Sequence, residues 1–80
     1  MEIWNVLTYR DYDFTDQSGR QVKGRTVHCY RDNTDGWPGV EYAKFAIGSN
    51  SPAFMKFPKL GAAYQITFDR YGKVVSLAEV

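Results

Sequence analysis

Arg20-Gln21-Val22-Lys23-Gly24-Arg25-Thr26-Val27-His28-Cys29-Tyr30-Arg31 is the stretch on which the fold of this 80-residue chain turns. It predicts the second strand of a long hairpin. Its apolar positions change side at Gly24, with Val22 before the glycine and Val27 and Cys29 after it. A glycine where the alternation slips by one residue predicts a β-bulge, which bends and coils a strand. Coiled strands are what a small barrel needs in order to close. Beyond the glycine, His28 and Tyr30 alternate with Val27 and Cys29, which predicts that the first pair faces outward.

Working outward, the first strand of the hairpin runs from about Glu2 to Phe14 and is rich in β-branched and aromatic residues. Asp16-Gln17-Ser18-Gly19 supplies the polar turn between the two. After the second strand, Asp32-Asn33-Thr34-Asp35-Gly36-Trp37-Pro38-Gly39 has the composition of a loop, and a third strand follows over Val40 to Ile47. Gly48 to Pro58 is a longer connection bracketed by Pro52 and Pro58, with room for one helical turn around Ala53-Phe54-Met55-Lys56. Tyr64, Ile66 and Phe68 then alternate with Gln65, Thr67 and Asp69 in the plainest strand of the chain. Tyr71-Gly72 turns into a fifth strand, Lys73 to Glu79.

Five strands without a long helix predict an all-β domain, either a barrel or a small sandwich. The succession of bulged hairpin, third strand, longer connection and final tight hairpin is that of an oligonucleotide-binding (OB) type barrel. An SH3-like barrel is the alternative, and it has a short turn where this chain has Gly48 to Pro58.

Composition limits what such a domain can do. Ten Lys and Arg against nine Asp and Glu give a net charge of +1, which favours no partner by its sign. Thirteen aromatic residues, six Tyr, five Phe and two Trp, exceed what one small core hides comfortably, so some belong on the surface. Cys29 is alone and makes no intramolecular disulfide; beside Val27 it is expected as a buried thiol. No signal-peptide pattern and no apolar run of membrane-spanning length occur, so the expected location is cytoplasmic, with no membrane partner.

Catalytic chemistry is not expected. One His and one Cys, adjacent on a strand, point to opposite faces and form neither a metal site nor a nucleophile pair. No Gly-rich phosphate loop is present. Asp11, Asp13 and Asp16 read as solvated acids around the hairpin turn. A non-enzymatic domain without metal or cofactor follows as the expectation.

A binding surface is left. Arg10, Arg20, Lys23, Arg25 and Arg31 lie on the first hairpin, Lys44 on the third strand, and Arg70 and Lys73 around the last turn. Tyr12, His28, Tyr30, Trp37 and Tyr42 are interleaved with them. Cations hold phosphates while flat rings stack on bases, the combination that single-stranded nucleic acid requires. A duplex reader would need a rigid element shaped for a groove, and none is evident. Each ring also has a competing place in the core, since Tyr and Phe suit any strand. Trp37, held in a loop between Gly36 and Pro38, either plugs one end of a barrel or is presented to a partner.

The run from Asp16 through Val27 and the closing stretch from Leu60 through Val75 resemble the bulged second strand and last hairpin of small single-stranded-DNA-binding proteins. These are the OB-barrel proteins of filamentous phages and similar bacterial mobile elements. The resemblance implies sequence-independent coating of single-stranded DNA by a homodimer engaged in replication, while the residues themselves leave RNA open as the alternative to DNA. It also implies that Arg20, Lys23 and Arg25 neutralise phosphates and that Tyr30, Trp37 and Tyr42 stack on bases. The competing function is a small protein-interaction module of similar origin, for which exposed rings serve equally well.

Overall fold

A computed structural model of the chain describes residues 2–80. Five antiparallel strands make one sheet: β1 (Glu2–Thr15), β2 (Gln21–Asp32), β3 (Val40–Gly48), β4 (Ala63–Phe68) and β5 (Val74–Glu79). Their order across the sheet is β3-β2-β1-β4-β5. The helical content is a single 3₁₀ turn, Pro52–Met55, where the connection between the third and fourth strands was expected to hold one. No helix among the described residues is long and apolar enough to cross a membrane.

β1 serves two partners. Over Glu2 to Asn5 it pairs with β4, and from Asn5 to Thr15 with β2. The hand-over is made at Val6, whose N–H donates to Ala62 O (2.9 Å) and whose carbonyl accepts from Gly61 N (2.7 Å). The register between β1 and β2 slips at this point, leaving Leu7 outside the ladder and more than half exposed. This bulge coils the sheet over one core built from Trp4, Val6, Val27, Cys29, Ile47, Tyr64, Ile66, Val74 and Leu77. Phe45 joins it edge-on to Trp4, with centroids 5.3 Å apart, and packs on Phe68 at 5.2 Å. Tyr64, Ile66 and Phe68 share the core side, as their alternation predicted.

Two expectations are corrected. Gly24 is not a bulge: the β1–β2 ladder runs through it in unbroken register, and the β2–β3 ladder starts in register at Gly24↔Gly48. The change of apolar side has another cause, because Arg25 takes the inward place next to Val27 and is fully buried. A charged residue fills a slot that the pattern assigned to an apolar one. Gly24 is required by a close approach instead, since a Cβ there would collide with the Tyr12 ring and stand 2.9 Å from Ile47 O.

The sheet, secondly, does not close. Its ladder ends at β3 on one side and β5 on the other. The connection from Gly48 to Ala62 occupies part of the seam between them. Ser51 Oγ donates to Val74 O (2.8 Å), Lys56 Nζ to Leu77 O (3.4 Å), and Ala53 is buried against the core. Side chains of the connection thus bond carbonyls of β5 that a closed ladder would need.

Arg25 pins that connection to the hairpin. Its Nε lies 2.6 Å from Asp11 Oδ1 and its Nη2 3.3 Å from Oδ2, while Nη1 donates to Phe54 O (2.7 Å) and Lys56 O (3.3 Å). The guanidinium carbon stands 4.3 Å from the Phe57 ring centre, 4.6 Å from Phe54 and 5.6 Å from Tyr9. A charge taken out of water this completely is tolerable only when paired and fully hydrogen-bonded.

The two hairpin turns share one design. Asp16-Gln17-Ser18-Gly19-Arg20 and Asp69-Arg70-Tyr71-Gly72-Lys73 each begin with an Asp whose Oδ1 accepts the N–H groups two and four residues on. Gly19 and Gly72 take the positive φ that each turn demands. The Asp16 carboxyl also accepts the Ser18 hydroxyl at 2.7 Å. That bond first, and the Arg20 and Ser18 amides with it, hold its pKa below the ordinary 3.8.

Arg25→Ala should therefore cost on the order of 3 kcal/mol in urea unfolding, and Arg25→Lys should fail to restore it, since one ammonium cannot serve a carboxylate and two carbonyls together. A loss below about 0.5 kcal/mol for the alanine variant, the range of ordinary surface changes, would refute this account. Asp16, with its lowered pKa, contributes stability above about pH 3.8 that is lost as pH falls through the folded-state value. Asp16→Ala should accordingly lower Tm at pH 6 and converge on the wild type near pH 2; a gap of constant size would remove the carboxylate as its cause.

Candidate nucleic-acid interface

The register places the side chains of the β1–β2–β3 region on two faces. On the core side lie Trp4, Val6 and Tyr9 of β1, Arg25, Val27 and Cys29 of β2, and Ala43, Phe45 and Ile47 of β3. The outer side is read row by row. Tyr30 of β2 pairs with Tyr42 of β3; His28 lies between Thr8 and Lys44; Thr26 lies between Arg10 and Ala46; Gly24 lies between Tyr12 and Gly48; Phe14 pairs with Val22. Same-face residues on a strand stand about 6.6 Å apart, so the rows from Tyr30 to Gly24 span about 20 Å.

Six of the ten candidate residues share this outer face: Arg10, Tyr12, His28, Tyr30, Tyr42 and Lys44. Rings stand towards both ends and cations between them. The Tyr42 ring is more than half exposed and lies beside His28, with centroids 5.8 Å apart and planes inclined by 34°. A contact between His28 Nδ1 and Tyr42 Oη ties the two rings together across the strands. Tyr12 and Phe14 form a second pair, at 6.1 Å and 37°. Phe14 was missed by the sequence reading, although its spacing of two from Tyr12 on a strand puts it on the same face.

The charge segregation is sharp. No carboxylate occurs on this face between Phe14 and Tyr30; Asp32 appears only at its loop end. Glu2, Asp11, Asp13, Glu41 and Glu79 all take core-side positions at the sheet margins. There Glu41 and Glu2 engage Arg31, at 2.9 and 3.5 Å, raising its pKa, chiefly through the Glu41 hydrogen bond. Arg31 also covers the Trp4 ring at 4.3 Å. Arg10 and Lys44 have no such partner among the described residues and are exposed.

The remaining four candidates lie elsewhere. Arg25 was expected to neutralise phosphate at the surface. Its burial against Asp11 and three rings removes it from any such role. Arg20 sits on the first turn and Lys23 on the core-side register beyond the core, both away from the Tyr30–Tyr42 row. Trp37 is 72 % exposed at the β2–β3 loop, which removes the reading in which it plugs the core. Tyr9 and Phe45, two further rings, turn inward.

His28 and Cys29 take opposite faces, as their adjacency required. Burial pushes the Cys29 thiol up to about 11, so it is a packing residue rather than a nucleophile. The acids Asp11, Asp13 and Asp16 serve separate neighbours: Arg25, the Gln21 amide and the first turn. No group of three His, Cys, Asp or Glu side chains suited to a metal ion occurs among the described residues.

No protein-family model matches the chain, and comparison with curated proteins and with solved structures returns no significant match. The site therefore stands on its own geometry.

Because Trp37 packs on nothing in the core, Trp37→Ala should leave the urea unfolding free energy within about 0.5 kcal/mol of the wild type. A loss of 2 kcal/mol or more, about what a buried large side chain costs, would mean that the indole has a structural seat.

Proposed function

We propose that the protein binds single-stranded nucleic acid, DNA in the first instance, along the outer face of β1, β2 and β3. The observation that carries this reading is the row-by-row register, which aligns Arg10, His28 and Lys44 with Tyr12, Tyr30 and Tyr42 on a stretch of sheet free of carboxylates. Tyr42 is exposed and Tyr12, His28 and Tyr30 are half-buried, so each keeps part of its ring open to solvent on a face turned away from the core. They gain about 1–3 kcal/mol each when a base stacks on them, whatever the base. Arg10 and Lys44 flank the rows where the sugar-phosphate backbone would pass, and cations without carboxylate partners are free to replace its counterions.

The tie between His28 and Tyr42 adds preorganisation. A ring held in place loses less entropy on stacking than a mobile one. Five antiparallel strands coiled over one core and left open at a seam are compatible with the partly open OB barrel, in which the face of the second and third strands binds oligonucleotides. Trp37, exposed in the loop that joins β2 to β3 beyond the Tyr30–Tyr42 row, is a further candidate for stacking.

The test is an anisotropy titration of fluorescent poly-dT of about 20 bases at several salt concentrations. Binding should weaken as salt rises. Tyr42→Ala should weaken it by about tenfold, and Lys44→Gln should flatten the logarithmic salt slope by about 0.7, the value for one phosphate contact on a single strand. Absence of binding at low salt would end the nucleic-acid reading and direct attention to a protein partner. Binding unaffected by either variant would move the interface off this face.

A further inference from the structure

Where the end of β3 faces the start of β5, the two hairpin turns and the start of the β3–β4 connection border a groove of about 690 Å³. That is the size of a small-molecule site. Its walls are unequal in character. Val22, Pro52, Val74 and Val75 give it an apolar lining, and Ser49 and Asn50 add polar side chains. Three cations line it: Arg20 from the first turn, Lys23 from β2 and Lys73 from the second turn.

None of the three is held by a carboxylate within 4.0 Å among the described residues. Asp69 is the one acid on the wall, and its Oδ1 already accepts the Tyr71 and Lys73 amides. Three positive side chains less one negative leave the groove at +2 in a protein whose net charge is +1. The paired turns explain how this arises. Each Asp-x-x-Gly turn is followed at once by a cation, Arg20 or Lys73, so repetition of one turn design delivers two like charges to opposite walls of one groove. Like charges brought together without neutralisation cost stability, and an anion in the groove would relieve that cost.

We propose that this groove binds a phosphomonoester, carried on a free mononucleotide or on the end of a strand. A phosphomonoester bears about −1.5 to −2 charges near pH 7, against one for a backbone phosphodiester, and so matches a cluster of this strength. The apolar lining suits the attached nucleoside, and the guanidinium of Arg20 is shaped for two phosphate oxygens at once. Tyr12 and Val22 belong both to the groove lining and to the outer sheet face, so a strand on that face reaches the groove with its terminus. The mononucleotide arm holds whether or not the face binds a strand.

Two pairs of probes test it by calorimetry at low salt: dTMP against thymidine, and dT8 with a 5′- or 3′-phosphate against dT8 with hydroxyl ends. At least one phosphorylated probe should bind about tenfold more tightly than its unphosphorylated counterpart. The double variant Arg20→Gln/Lys73→Gln should erase that preference while its melting temperature, which depends on the backbone of the turns, stays near the wild type. Lys44→Gln, on the sheet face, should leave the preference intact. If neither phosphorylated probe is favoured, or if the preference survives the double variant, the proposal is overturned; loss of dT8 binding through Lys44→Gln alone bears on the face and not on the groove.

Discussion

The buried guanidinium of Arg25 is the constraint on which the rest of the architecture depends. With no solvent contact, each of its nitrogens needs a partner, and β2, which carries it, is tied to two other parts of the chain: β1 supplies Asp11, and the connection after β3 supplies the Phe54 and Lys56 carbonyls. Asp11 is itself half exposed, so the pair bridges solvent and interior rather than sitting wholly in the core. The rings of Phe54, Phe57 and Tyr9 shield the remaining faces of the cation. The connection is thereby drawn against the hairpin and into the seam beside β5. An open sheet, and the groove at its open end, follow from that placement.

Around this fixed point the molecule divides its charges by strand parity. Core-side positions that outrun the core carry carboxylates and the arginines they neutralise; the opposite face carries cations and rings with no acids among them. Such a division has no advantage for solubility, which interspersed charges serve better. The register of β2 against its two neighbours is what brings the unpaired cations and the rings onto one face.

The turns matter for the same reason. Asp16 and Asp69 close their hairpins through identical amide contacts, which is economical local chemistry. Their identical sequels, Arg20 and Lys73, acquire meaning only because the coiled sheet brings the two turns to one end. Two local motifs about fifty residues apart thus cooperate through tertiary geometry rather than through sequence proximity.

Much of the fold was legible in the residues. Five strands, their approximate limits, the single helical turn around Ala53, the buried Cys29 and the outward Tyr30 all follow from alternation and turn chemistry, which are local properties of the chain. The shared face of His28 and Tyr30 follows in the same way, but Tyr12 and Tyr42 join them only through the strand pairing and the bulge at Leu7, which reverses the parity of β1. The sequence by itself could not show that Arg25 lies inside, because its burial depends on Asp11, Phe54, Lys56 and Phe57, partners up to 32 residues away. For the same reason Gly24 resembled a bulge while the true bulge, at Leu7, arose where β1 changes partner from β4 to β2. The open seam of the sheet and the placing of Arg20 and Lys73 on one groove were likewise decided only in three dimensions: each depends on how distant segments pack, and that free energy has no signature in the spacing of neighbouring residues.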